Sequence, residues 1–269
     1  MTSPNELLQL AVDIALEAGE LAHRRRTEGV TIAATKSALA DIVTEADREV
    51  EELVRARLAA ARPDDAFLGE EGGAGRGSTG IAWVVDPIDG TVNYAYGIPA
   101  WAVSIAAVQL ADGDSEPDTA TWTALAGVVY NPVVGELFRA SRGGGAWLGD
   151  VALHVNDEVG LAGALLATGF GYDPATHAAA LEQQAKVMPL ARDIRRIGAA
   201  SLDIAYVAAG RMDGFYEKGL QPWDHAAAVL LVTEAGGVAA GAPGGVPGRE
   251  MTIVAGPGLF PRLSALIDY

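Results

Sequence analysis

The order in which apolar periodicity changes along the chain limits the fold more than any other feature of the sequence. Leu7, Leu10, Ile14, Ala18 and Leu21 recur at helical spacing behind a start signal: Ser3 as N-cap, Pro4 at the first helical position, Glu6 completing a capping box. Gly29 lies just past the end. A second helix is expected over about 44–61, with Val50, Leu53, Val54 and Leu58 on its apolar face. The period then changes. Short apolar runs at 81–85, 101–110, 124–130 and 136–140 are separated by turn-formers and read as strands. Beyond the glycine-rich stretch 141–150 the order becomes an alternation. It runs strand 164–168, helix 177–190, extended 194–197, helix 200–209, extended 213–217, helix 225–235, strand 251–255 and a last helix near 259–268. The pattern predicts an α+β half over 1–149 and an α/β half over 150–269, with the seam in 141–150.

With 269 residues there is ample sequence for a core, as one large domain or two small ones. Half of the chain is hydrophobic and 20% is charged, ordinary for a globular protein. Lys and Arg number 19 against 35 Asp and Glu, a formal net charge of −16. Such a chain does not draw in nucleic acid or an anionic membrane surface by a general electrostatic effect. If it handles phosphate, positive charge must come from something other than its own side chains. The absence of cysteine excludes a disulfide framework, a thiolate metal site and a cysteine nucleophile. The first residues lack a basic stretch leading into an apolar one, and no apolar run nears the roughly 18–20 residues of a membrane span. A cytoplasmic protein without a membrane partner is expected.

Gly75-Arg-Gly77-Ser-Thr-Gly80 has the letters of a dinucleotide fingerprint but precedes a strand instead of following one, so it reads as a loop. There is no P-loop and no nucleophile elbow. His23, His154, His177 and His225 are scattered without metal-ligand spacing, and the acidic run 112–118 reads as a solvated loop.

The informative stretch is Trp83-Val-Val-Asp86-Pro-Ile-Asp89-Gly-Thr91-Val-Asn93, an apolar strand that ends on two carboxylates. Hard cations want oxygen ligands, and Asp86 and Asp89 with the Ile88 carbonyl between them could serve two neighbouring ions. An Asx-type turn at a strand end is the plain alternative. Phosphatases of the haloacid dehalogenase class need Asp-x-Asp, and the spacing here fails that pattern. Gly69-Glu70-Glu71-Gly72-Gly73 sets adjacent glutamates among glycines, beside a cation or in an ordinary acidic loop. Asp224 in Trp223-Asp224 falls at a helix start, where an acid also serves the helix end. Thr44-Glu-Ala-Asp47 likewise reads as a capping box.

Together these segments resemble the inositol monophosphatase family of magnesium-dependent, lithium-sensitive sugar phosphatases. The resemblance rests on Asp41-Ile-Val-Thr44-Glu-Ala-Asp47, Gly69-Glu70-Glu71, the stretch from Trp83 to Asn93, and Trp223-Asp224. Ile197-Gly198-Ala-Ala-Ser201 and Val207-Ala-Ala-Gly-Arg-Met-Asp213-Gly-Phe-Tyr-Glu217 add to it, and the blocks span roughly 36–237. It implies an α/β fold layered αβαβα, two sheets sandwiched between helix layers, with the site in the cleft between the halves. It implies that Glu70, Asp86 and the Ile88 carbonyl hold one Mg²⁺, that Asp86, Asp89 and Asp224 hold a second, and that Glu70 faces a third, weaker ion. Asp47 and Thr91 would orient the attacking water, and the Gly90 and Thr91 amides would receive phosphate oxygens. Asp89, Gly90, Thr91, Gly198, Ala199, Ala200 and Glu217 would face the substrate.

The activity implied is hydrolysis of inositol 1-phosphate or a similar polyol phosphate by in-line attack of a metal-activated water, in a homodimer. Thr91-Val-Asn-Tyr94 and Gly198-Ala-Ala200 depart from the Thr-Lys-Asn-Phe and Gly-Asp-Phe usual in histidinol-phosphate phosphatases of this superfamily. Ala199 stands where the family often has Ser or Thr. The alternatives are histidinol phosphate, a nucleotide 3′-phosphate, fructose 1,6-bisphosphate or NADP as substrate, or a regulatory relative acting in a transcription complex. Lys36 reads equally as a neighbour of the metal loop and as a surface lysine, and Arg195 and Arg196 as structural or subunit-contact residues.

Overall fold

The computed structural model describes residues 2–30, 32–35, 42–111, 114, 116–160 and 162–268, with backbone alone for 32–35, 42 and 43. Lys36 and Asp41 lie outside the described residues, as does part of the acidic run 112–118. Helix α1 (Pro4–Glu28) starts as the sequence predicts. Ser3 and Glu6 exchange hydrogen bonds, Ser3 N to Glu6 Oε2 at 2.7 Å and Glu6 N to Ser3 Oγ at 3.3 Å. The strands β1 (Ile32–Thr35) and β2 (Ile42–Thr44) form a small antiparallel pair. They lead into α2 (Glu45–Ala61).

Eight strands then make one sheet. They are β3 (Ala66–Gly69), β4 (Gly73–Gly75), β5 (Ile81–Asp89), β6 (Ala102–Gln109), β7 (Thr123–Asn131), β8 (Glu136–Ser141), β9 (Gly145–Leu148) and β10 (Val151–Ala152), in the order β10-β9-β8-β7-β6-β5-β3-β4. The short helix α3 (Thr91–Tyr96) interrupts them after β5. The glycine-rich stretch expected to be the seam instead supplies β9 and the turn to β10, so the chain leaves this sheet only after Ala152.

The second sheet has the order β12-β11-β13-β15-β14, from β11 (Ala164–Thr168), β12 (Ala191–Arg195), β13 (Gly214–Glu217), β14 (Val238–Ala240) and β15 (Thr252–Ala255). Its helices are α4 (His177–Val187), α5 (Ala200–Ala208), α6 (Pro222–Glu234) and α7 (Phe260–Ser264). The expected helix 177–190 ends as a 3-10 turn over Met188–Leu190, where Pro189 cannot continue the α-helical ladder.

Side-chain alternation along β5 explains the layering. Ile81, Trp83 and Val85 pack beneath α1 and α2, while Ala82 and Val84 face the opposite way, into a core shared with α5 and α6. Both faces are covered, so the strand reads as one unbroken apolar run. The same inner core includes Ala167, Phe215 and Val254 of the second sheet. The outer face of that sheet, with Leu166, Tyr216 and Ile253, is closed by Val187 at the end of α4 and by Leu259 and Leu263 around α7. The result is α1/α2, sheet, α5/α6, sheet, α4/α7: the αβαβα order. Among the described residues no helix is long and apolar enough to cross a membrane.

Candidate active site

The last residues of β5 are built around an irregularity. Asp86 pairs with Ser104 and Asp89 with Ala102, so three steps along β5 match two along β6, which is a β-bulge. In a regular strand, residues three apart point to opposite faces. The extra residue brings Asp86 and Asp89 back to one side, and Pro87, which has no N–H to lose from the ladder, sits within the bulge. Asp86 Oδ1 accepts from Ile88 N at 3.0 Å. The Asx turn is therefore real, and Asp86 still lines the cavity beyond it. Gly90 follows at φ +93°, a left-handed conformation that glycine enters without Cβ strain, and caps α3. A Cβ there would also lie 3.1 Å from the Ala199 methyl and 3.2 Å from Gly198 O, so this turn is pressed against the second half of the molecule.

Thr91, the first residue of α3, donates from Oγ1 toward Asp47 Oδ1 and Ile88 O, each at 3.1 Å. Asp47 is fully buried in the first turn of α2. Its Oδ2 accepts from Thr44 N at 2.8 Å and from the Thr44 hydroxyl, while Asp47 N donates to Thr44 Oγ1 at 3.3 Å. The capping box and the contact with Thr91 thus use different oxygens of one carboxylate.

Glu70 follows β3, its backbone tied to β5 through Glu70 N to Val85 O at 3.3 Å. Asp224 sits in the first turn of α6 and accepts from Gln221 N at 2.7 Å. The helix begins at Pro222, three residues earlier than expected, because proline and a capping Gln221–Asp224 pair open it. Asp89 caps α5, accepting from Ala200 N at 3.2 Å, Ser201 N at 2.7 Å and Ser201 Oγ at 2.5 Å.

These residues surround one cavity of about 700 Å³ between the sheets. Its walls hold Glu70, Asp86, Ile88, Asp89, Gly90 and Thr91 from the first half and Gly198, Ala199, Ala200, Glu217 and Asp224 from the second. Every candidate site residue is on that wall except Asp47, which reaches it through Thr91. Ala199 is 1% exposed and meets the cavity from beneath Gly90. The Glu217 carboxylate lies over Gly169, where a Cβ would fall 2.1–2.3 Å from it.

Burial and mutual repulsion dominate the electrostatics. Asp86 and Asp224 are raised well above the usual carboxylate range, first by desolvation and then by the neighbouring acids of this group. Asp89 is also raised by burial, opposed by its hydrogen bonds to Ser201 and Ala200 and by the charge of Arg196. Asp47 is pushed up to about 6, chiefly by burial. The donor set is carboxylates and a peptide carbonyl, all oxygen, which suits a hard divalent cation such as Mg²⁺. Carboxylates that raise one another's pKa when crowded are also the groups a cation would relieve. Among the described residues no three His, Cys, Asp or Glu side chains stand as a closed chelate. The hydrogen bonds account for this in part: Asp89 leans onto Ser201 and Asp224 onto Gln221, each keeping further lone pairs for a ligand.

The structure adds residues that spacing did not reveal. Ser201 holds Asp89. Asp203, 2% exposed, borders the cavity with Oδ1 lacking a hydrogen-bond partner among the described residues. It is pushed up to about 8 by burial and by the charges of Glu217 and Asp89. A lone acid in the apolar helix Ala200–Ala208 was the available signal. Arg196, read from sequence as a structural or subunit-contact residue, lies on the cavity wall. Its Nη1 would be 2.6 Å from a Cβ at Gly198. It follows a strand in a loop, where sequence carries no directional signal.

The fold and this cavity define a layered α/β protein whose buried acids, supplied by both sheets, converge beside a Thr–Asp pair. The inositol monophosphatase family model matches residues 3–265, and the chain belongs to that family. It is 41% identical to an inositol-1-monophosphatase of Rhizobium meliloti (strain 1021), over 89% of this chain and 86% of that protein. It is 36% identical to the Nus factor SuhB of Pasteurella multocida (strain Pm70), over 90% of this chain and 87% of that one. Among solved structures, the extragenic suppressor protein suhB from Bartonella henselae superposes with a TM-score of 0.85 at 36% identity, covering 97% of each chain.

Proposed function

We propose that this chain hydrolyses phosphate monoesters and takes inositol 1-phosphate or a similar polyol phosphate, with Mg²⁺ held by Glu70, Asp86, Asp89, Asp224 and the Ile88 carbonyl. The observation that carries the reading is the meeting of these acids, from β5, the turn after β3 and the start of α6, on one cavity beside Thr91 and Asp47. Mg²⁺, when bound, acidifies water and neutralises charge on the phosphate and the departing alkoxide. Asp47 takes the Thr91 hydroxyl proton as a hydrogen bond. That leaves the lone pairs of Thr91 Oγ1 to accept a hydrogen bond from the attacking water and aim its oxygen at phosphorus. The Gly90 and Thr91 amides would hold phosphate oxygens. Glu217, pushed up to about 8 chiefly by burial, would bond to the hydroxyls of a polyol. Gly198, Ala199 and Ala200 carry little side chain into the cavity and leave room for the ring. Glu70 serves both as a ligand and as the catalytic group facing a third, weaker ion. The family resemblance supports two to three Mg²⁺ per site, inhibition by Li⁺ and a homodimer.

The test is phosphate release over a panel of monoesters. Inositol 1-phosphate should be hydrolysed with Mg²⁺, not with EDTA, and less with added Li⁺. Asp89→Asn and Asp224→Asn should each lose about a thousandfold or more in kcat while remaining folded. Release from none of the esters would refute the reading and favour the second one. That second reading, a regulatory role in a transcription complex, is favoured by the relative named Nus factor SuhB. The presence of Glu70, Asp86, Asp89 and Asp224 speaks against loss of catalysis and leaves room for such a role beside it.

A further inference from the structure

Glu51 is an acid with a buried side chain that takes no part in the chemistry described above. It lies one helical turn beyond Asp47 on α2 and is 3% exposed. Its Oε2 accepts from Glu71 N at 2.7 Å, and its Oε1 accepts from Gly72 N at 2.6 Å and from Arg55 Nη2 at 3.2 Å. Two of the three donors are the backbone amides immediately after Glu70. Arg55 lies over the Phe67 ring, 4.0 Å from its centroid, and Nη2 also reaches Gly73 O at 3.4 Å. The loop is shaped to admit this carboxylate. A Cβ at Gly69 would fall 2.4 Å from Glu51 Oε2, and one at Gly72 would fall 2.6 Å from Oε1 and 2.4 Å from Arg55 Nη2.

We infer that Glu51 is a positioning residue, which clamps the Glu70 loop to α2 through the Glu71 and Gly72 amides and so sets Glu70 in register with the Asp47–Thr91 pair. The inference rests on the reading that Glu70 takes a divalent cation. Residues four apart share a helix face, so α2 presents Asp47 to Thr91 and Glu51 to the loop from the same side. A buried carboxylate is costly unless its hydrogen bonds are satisfied, and apolar groups of like volume would serve stability as well. What an apolar group could not do is hold two consecutive amides of a glycine-rich loop at fixed distance. Glu70 stands in the glycine-flanked turn between β3 and β4, where Glu70 N to Val85 O at 3.3 Å ties its backbone to β5 and the clamp ties the next two amides to α2.

The test measures cation binding by calorimetry on the full chain, with Mg²⁺ and with Mn²⁺, alongside kcat at rising Mg²⁺. Glu51→Gln supplies a single acceptor oxygen and turns an NH₂ toward an amide N–H. It should bind the cations at least about tenfold more weakly. Its kcat should return toward the parent value when Mg²⁺ is raised by a similar factor, which a merely destabilised enzyme would not show. Gly72→Ala, which pushes on the same clamp from the loop side, should shift affinity in the same direction and decides the matter if Glu51→Gln fails to fold. Parent-like affinity in a folded Glu51→Gln, or in Gly72→Ala when Glu51→Gln does not fold, would overturn the inference and leave the proposed function intact. No cation binding by the parent chain would overturn both.

Discussion

Four acids of the site carry a second duty toward the backbone. Asp47 closes the capping box of α2, Asp86 makes an Asx turn to Ile88, Asp89 caps α5 and Asp224 caps α6. At sequence level a local cap or turn and a role in the site looked like competing explanations for Asp47, the Asp86–Asp89 stretch and Asp224. A carboxylate has two oxygens and several lone pairs, so both hold at once, and the local bond fixes the rotamer that presents the rest of the group. This is also why Ser201, Glu51 and Asp203 were not legible. Their significance lies in partners remote in sequence, such as Asp89 for Ser201 and Glu71 for Glu51, and no local spacing encodes those pairs. Gly169 is a further case and yields a prediction. Its missing Cβ is the space filled by the Glu217 carboxylate. Since the clash is with the far end of a flexible side chain, Gly169→Ala should fold and displace Glu217. The KM for inositol 1-phosphate should rise about tenfold, the value of one good hydrogen bond. Hydrolysis of p-nitrophenyl phosphate, which offers no hydroxyls, should change by less than about twofold. Equal losses on both esters would show that Glu217 is not what the glycine accommodates.

At the scale of elements, what the sequence disclosed followed the strength of its periodic signal. The helix α1 and the strands β5, β6, β7 and β8 fall within a residue or a few of expectation, because long amphipathic or apolar runs leave little choice. The strands β3, β4, β9, β10 and β14 are two to four residues long and rich in glycine and alanine, and pairing with a neighbour, not their own pattern, makes them strands. The bulge in β5 was equally hidden, since it is a relation between two strands. Close approach of elements is another such relation. A Cβ at Gly127, in the middle of β7, would lie 2.8 Å from Ala227 O and 2.9 Å from Ala227 Cα on α6. Backbone cannot step aside as a side-chain tip can, so Gly127→Ala should force the helix from the sheet and cost about 1–3 kcal/mol. Urea unfolding monitored by circular dichroism would measure it. Because α6 carries Asp224, cation affinity should fall together with stability. An unchanged midpoint would mean that the helix seats on the sheet through other contacts.

For the molecule as a whole, the charge of −16 excluded partners at the sequence level without saying where the acid was concentrated. The fold gathers part of it between two sheets, and stability then depends on pH in a direction that can be worked out. Asp203 and Glu217 are both pushed up to about 8 by burial, so the folded chain keeps protons there that the unfolded chain has released above about 4. Stability from these two groups is therefore complete below the unfolded carboxylate range and is lost as pH rises through about 8. Asp86 and Asp224 act in the same direction. His225, buried and pulled down to about 4, acts oppositely: the unfolded chain takes up its proton first, so stability increases as pH rises from about 4 to its ordinary value of 6.5. Between pH 6.5 and 8 the histidine contribution is flat and the acids remain. In EDTA, the free energy of urea unfolding should fall across that interval by on the order of 1 kcal/mol per pH unit, and Asp203→Asn should reduce the slope. Saturating Mg²⁺ should stabilise the protein more at pH 8 than at pH 6.5, since it binds the deprotonated acids of the folded state. A stability that rises with pH in EDTA, or a gain from Mg²⁺ that shrinks with pH, would contradict the view that a cation supplies the positive charge these acids lack.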